Sequence, residues 1–158
     1  MVFVWISLWF FGGLLFFSHP RREDVRWAAA VCWFSGAGAM GVVLRESGEE
    51  RWLKNIAEPA FSVAHYLAPF ALVMFALHYA GYFKKGFLSQ ASYIWKLILA
   101  LPPISMYLLY PIFPSFTTNY VVLTCWVAPY VLIANSVLIS CCRRSKIFLV
   151  FENVWSSL

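Results

Sequence analysis

The chain has 158 residues, 62% of them hydrophobic, 20% aromatic and only 12% charged, with a mean hydropathy of +0.73 and a net charge of +5. Soluble domains are about 45–50% apolar and roughly 25% charged, so this composition argues against a water-soluble fold and predicts an integral membrane protein. The basic residues form short clusters between apolar runs and no continuous face, which predicts topology determinants and no nucleic-acid partner.

Residues 2–17 (VFVWISLWFFGGLLFF) form the first, short span. No basic residue precedes it, and His19-Pro20-Arg21-Arg22 follows where a signal peptide would carry small residues, so a retained helix is expected. Gly12 and Gly13 allow a bend or close packing. Residues 19–26 (HPRREDVR) read as a tight loop, with Pro20 helping to stop the helix, His19 solvated, and Arg21, Arg22 and Arg26 marking the side of the membrane. Residues 27–44 are a second uncharged span containing Gly36-Ala37-Gly38-Ala39-Met40-Gly41, a literal G-x-G-x-x-G. A dinucleotide site would need an aqueous strand–turn–helix unit around it, and that context is missing. The pattern is read as helix packing, with Gly36, Ala37 and Gly41 letting two backbones approach.

Residues 45–58 carry four glutamates and three basic residues, and read either as amphipathic turns on the membrane surface or as a solvated loop. The third span, residues 60–83, runs 24 residues without a charge, closed by Glu58 on one side and by Lys84 and Lys85 on the other. That length crosses a hydrocarbon layer about 30 Å thick at roughly 1.5 Å per helical residue. It holds His65, His78 and an internal Pro69. Residues 93–110 are the fourth span. Lys96 lies one turn inside it, placed to snorkel outward, and Pro102 and Pro103 predict a kink or a local break. Residues 120–142 are the fifth, with Pro129 near the middle and Asn135 expected to face another helix, because an unpaired amide is costly in lipid. The tail, 143–158, is basic and then apolar, fit to lie on the surface or to begin a helix that the chain does not complete.

The fold class predicted is all-α, a polytopic transmembrane bundle of about five helices over residues 1–142. With the N-terminus outside, nine basic residues lie inside: Arg21, Arg22 and Arg26, then Lys84, Lys85 and Lys96, then Arg143, Arg144 and Lys146. Only Arg45, Arg51 and Lys54 lie outside, three in all, so the C-terminus is expected in the cytoplasm.

Catalytic and metal chemistry is not legible. His65 and His78 are 13 residues apart, roughly 20 Å along a helix and on different faces, so they cannot share a metal, and no cofactor is expected. The four cysteines, Cys32, Cys125, Cys141 and Cys142, form no C-x-x-C. Cys141 and Cys142, beside Arg143 and Arg144, are interfacial thiols or palmitoylation sites. Every Asp and Glu falls in a loop or the tail, and no nucleophile–base pair, P-loop or H-E-x-x-H occurs, so no enzyme activity is expected.

The run from Pro69 to Gly81 (PFALVMFALHYAG) resembles the third helix of the N-terminal seven-helix membrane region of bacterial sensor histidine kinases, as does Trp126-Val127-Ala128-Pro129-Tyr130 in the fifth helix. The position of His78 is often acidic in that pattern, and the chain ends after a 16-residue tail without a phosphoacceptor segment or ATP-binding glycine boxes. The resemblance therefore implies a truncated or stand-alone input domain in the plasma membrane of a bacterium, partnered by the lipid bilayer and by a second copy or a cytoplasmic kinase. Its candidate ligand positions are the semi-polar or helix-bending residues within the spans: His65, Tyr66, Pro69, Pro102, Pro103, Tyr130 and Asn135. The alternatives are a small transporter or channel subunit, with its substrate path at Pro102 and Pro103, and a structural membrane protein without a ligand.

Overall fold

A computed structural model describes residues 2–47, 51–83, 92–109, 112–113 and 120–144. Among the described residues five helices follow one another: α1 (Val2–Ser18), α2 (Glu23–Ser47), α3 (Arg51–Tyr79), α4 (Ser92–Leu109) and α5 (Tyr120–Arg144). No strand occurs among the described residues. The predicted membrane side markers Lys84, Lys85 and Lys146, the side chain of Arg144 and the tail beyond it lie outside the described residues, as does the side chain of His65.

Two helical stretches, Glu23–Leu44 and Thr124–Arg143, are long and apolar enough to cross a membrane, while Phe3–Ser18 and Tyr66–Tyr79 are shorter apolar helices. The helices also reach into regions read as loops. α2 takes in Glu23 and Asp24 at its start, and α3 begins at Arg51, so Glu58 and Pro59 are helical. Part of the 45–58 connection is thus a helical extension of α3. The expectation that all acids lie in loops is corrected accordingly.

α3 is the axis of the fold, packing on α2, α4 and α5, while among the described helices α1 packs on α2 alone. Buried residues follow a helical stripe along α3: Tyr66, Pro69, Val73, Ala76 and Leu77. Around the last three, Tyr130 and Ala134 of α5 complete a core, with Leu99 of α4 and Trp126 at its edge. The outside is as apolar as the inside. Phe3 is 84% exposed, Phe17 80% and Val121 67%, whereas His78 is 7% exposed. A fold arranged this way turns hydrocarbon to its surroundings.

α1 and α2 are joined by a reciprocal contact that the residue pattern explains. Trp9-Phe10-Phe11-Gly12 and Trp33-Phe34-Ser35-Gly36 are two copies of W-F-x-G. The Trp9 indole lies where a Cβ on Gly36 would be, and the Trp33 indole where one on Gly12 would be. Each indole N–H then donates to the carbonyl of the other tryptophan, at 3.1 Å from Trp9 and 3.3 Å from Trp33. Gly13 faces nothing, and α1 passes through both glycines as one helix.

The α2–α3 contact is closer still. A Cβ on Gly41 would come within 2.9 Å of the Ala57 carbonyl and of the Phe61 amide nitrogen, and one on Gly38 would collide with Ala64. Of the predicted packing residues, Gly41 does bring two backbones together, partnered by Gly38, while Gly36 receives a ring and Ala37 is only half-buried.

Candidate functional site

The strongest concentration of polar chemistry lies where three helix ends meet. α2 begins directly after the Pro20 turn, where the Arg22 amide donates to the His19 carbonyl at 3.1 Å. Glu23 and Asp24 occupy its first turn, where the helix dipole favours negative charge. Asp24 accepts two hydrogen bonds from Arg22, at 2.6 and 3.2 Å, and this hydrogen bond and charge hold the Arg22 guanidinium above its ordinary pKa.

Glu23 is the hub. Its Oε2 accepts from Nζ of Lys96 at 3.2 Å and lies 3.1 Å from Nδ1 of His78, and its Oε1 faces Arg26 at 3.7 Å. One carboxylate thus links the start of α2, the last turn of α3 and the second turn of α4. The side chain of His78 is 5% exposed, and its Nε2 is buried without a hydrogen-bond partner.

The chain turns back over this cluster for a definable reason. Gly81 adopts φ +77°, the left-handed conformation that glycine tolerates. The Tyr82 amide donates to the Leu77 carbonyl at 3.0 Å and the Gly81 amide to the His78 carbonyl at 3.1 Å, the two bonds of a Schellman cap. That cap folds Phe83 back onto the site. Its ring centroid lies 4.7 Å from that of His78 and 5.2 Å from Nζ of Lys96, a cation–π contact. A cavity of about 380 Å³ adjoins the cluster, reaching Arg21, Arg22 and Ser92. No group of three His, Cys, Asp or Glu able to hold a metal occurs among the described residues.

The predicted ligand positions divide. Pro103, Tyr130 and the neighbouring Pro102 come together. Pro103 has no N–H, so the Leu99 carbonyl four residues earlier has no partner in its own helix. The Tyr130 hydroxyl of α5 donates to that carbonyl at 2.9 Å. Ser105 donates to the carbonyls of Leu101 and Pro102 at 2.9 and 2.8 Å. α4 accordingly stays helical through both prolines, which corrects the expectation of a local break.

Tyr66 and Pro69 are buried on α3, about 18 and 14 Å along the helix from His78. Pro69 borders a separate apolar groove of about 290 Å³ between α2, α3 and α5. Asn135, expected to face another helix of this chain, lies exposed. The reason is register: Tyr130 and Ala134 turn toward α3, which rotates Asn135 about 100° away from Ala134.

Sequence reasoning missed Glu23 and the reach of Lys96 across to it. A usable signal was present. Glu23, His78 and Lys96 all sit at the same end of their helices once the up-and-down order is written out, so they share a depth. Comparison with protein-family models, with curated proteins and with solved structures gives no match.

Proposed function

We propose that this chain is a multi-pass membrane input domain of the type carried by two-component sensor kinases. Its five helices cross the bilayer with the N-terminus outside and the C-terminus in the cytoplasm, and it passes a change in helix packing to a cytoplasmic partner without catalysing a reaction itself. The outward-facing hydrocarbon of α1, α4 and α5 supports the membrane placement. Nine basic residues against three support the orientation.

The observation that carries the reading is the Glu23 hub. A single carboxylate couples the cytoplasmic ends of three helices through one buried imidazole and one ammonium. A shift of α4 against α3, whether caused by a ligand or by the bilayer, must stretch or break those bonds. The hub is therefore placed to turn motion inside the membrane into a change at its inner face. The Tyr130–Leu99 bond supplies the intramembrane link between α5 and α4.

Reporter tags inserted after Glu49 and after Lys146 are expected on opposite sides of the membrane; both on one side would defeat the orientation. Grafting residues 1–142 onto the kinase module of a sensor of this class should yield an output that Glu23→Gln changes. An output indifferent to Glu23→Gln and to Tyr130→Phe would reject the signalling role.

A further inference from the structure

Resting on the membrane placement proposed above, we infer that α5 is the contact face for a second copy of this chain, with Asn135 hydrogen-bonded to its counterpart across a parallel seam. Tyr130 and Ala134 define the face of α5 that packs on α3. At about 100° per residue, Cys125, Ala128, Leu132, Asn135, Ile139 and Cys142 all fall within about 60° of the line directly opposite Tyr130. All six are exposed except Ala128, which is half-exposed. Their spacing is 3, 4, 3, 4 and 3 residues, the repeat of a left-handed two-helix seam.

Most of that stripe needs no protein cover, because lipid tails solvate Leu132 and Ile139 as well as another helix would. Asn135 is the exception. It stands eleven residues into the 20-residue apolar stretch from Thr124 to Arg143. That is roughly 17 Å along the helix and near mid-bilayer. Its side chain is exposed, and no hydrogen bond of it falls among the described residues. An amide at that depth has no water to bond, and its N–H and C=O groups need partners.

The occupant follows from symmetry. Copies inserted in one orientation are related by a twofold axis along the membrane normal, so each seam position meets its own counterpart. An amide both donates and accepts, which makes Asn135 self-complementary across that axis. A polar residue at one seam position also sets the register of the pair. Cys125 and Cys142 then lie beside their counterparts, ten residues before and seven after Asn135. Cys32 is on α2 and outside the seam.

The test uses the full chain in membranes, with two distinguishable tags and single-cysteine versions made by Cys→Ser changes at the other three positions. Copper–phenanthroline oxidation should join the two tagged forms through Cys125 alone and through Cys142 alone, and not through Cys32 alone. Asn135→Leu should lower both cross-links by about tenfold, and Asn135→Gln should retain them. Membrane retention in alkaline carbonate without cross-linking at 125 and 142, or cross-linking that Asn135→Leu leaves unchanged, would overturn the seam while sparing the membrane reading. Release by carbonate would overturn both.

Discussion

The two sides of α3 are held by different means. Toward α2, contact is made by the absence of side chains: Gly38 and Gly41 lay one backbone against another, and α1 is locked on by the Trp9–Trp33 exchange. Toward α4 and α5, contact is made through side chains: Tyr130 and Ala134 of α5 pack against Val73, Ala76 and Leu77, Tyr130 bonds the Leu99 carbonyl of α4, and Lys96 of α4 reaches Glu23 of α2. Backbone contacts of the first kind have one arrangement, since a small displacement produces collision or a void. Side-chain bonds of the second kind can be exchanged or lengthened without moving a backbone. The α1–α2–α3 unit is thus the frame, and α4 with α5 is the part able to shift against it.

The largest loss is expected at Gly41. Gly41→Leu places a side chain into the Ala57 carbonyl and the Phe61 amide and should cost about 3 kcal/mol or more, visible as loss of folded protein in a detergent thermal melt. Gly13→Ala, which faces nothing, is its control and should leave the melt unchanged. Equal effects at the two glycines would remove the frame from the account.

A smaller loss is expected at the hub. Glu23→Ala removes the carboxylate beside the buried His78 imidazole and should cost about 1–2 kcal/mol. Glu23 is half-exposed, so its pairing with Lys96 adds little and fades with salt. Glu23→Gln keeps an acceptor and should recover part of the stability. Stabilities of the two variants that match wild type would mean that the hub does not hold the helix ends. Least affected should be Tyr130→Phe, at about 0.5–1 kcal/mol, because neighbouring groups partly re-satisfy a freed carbonyl in a helix. Its sharper readout is a change in α4 alone, seen as faster hydrogen exchange around residues 99–103 with α2 unaffected.

The helices themselves were legible in the residues. Charge-free runs separated by charged or proline-containing connections predict five elements, and among the described residues five helices occupy them. Their ends were less clear, because helix propensity carries charged residues such as Glu23 and Glu58 into helical turns. The site was only partly legible. Pro103 and Tyr130 were singled out for opposite reasons, one as a helix breaker and one as a semi-polar residue, and the structure joins them at a single carbonyl. Asn135 was identified by its cost in lipid, and its direction was not, since a one-residue rotation decides which side a helix presents.

Composition and order along the chain alone determined that this protein is a set of apolar helices with basic clusters between the apolar runs, because hydrophobic length and charge count are local quantities. Tertiary structure alone decided that Trp9 fills Gly36 while Trp33 fills Gly12, and that Glu23 gathers His78 and Lys96. Those pairings join residues 21 to 73 positions apart. Their geometry depends on helix rotation and on which backbones lie close, quantities that no single stretch of the chain contains.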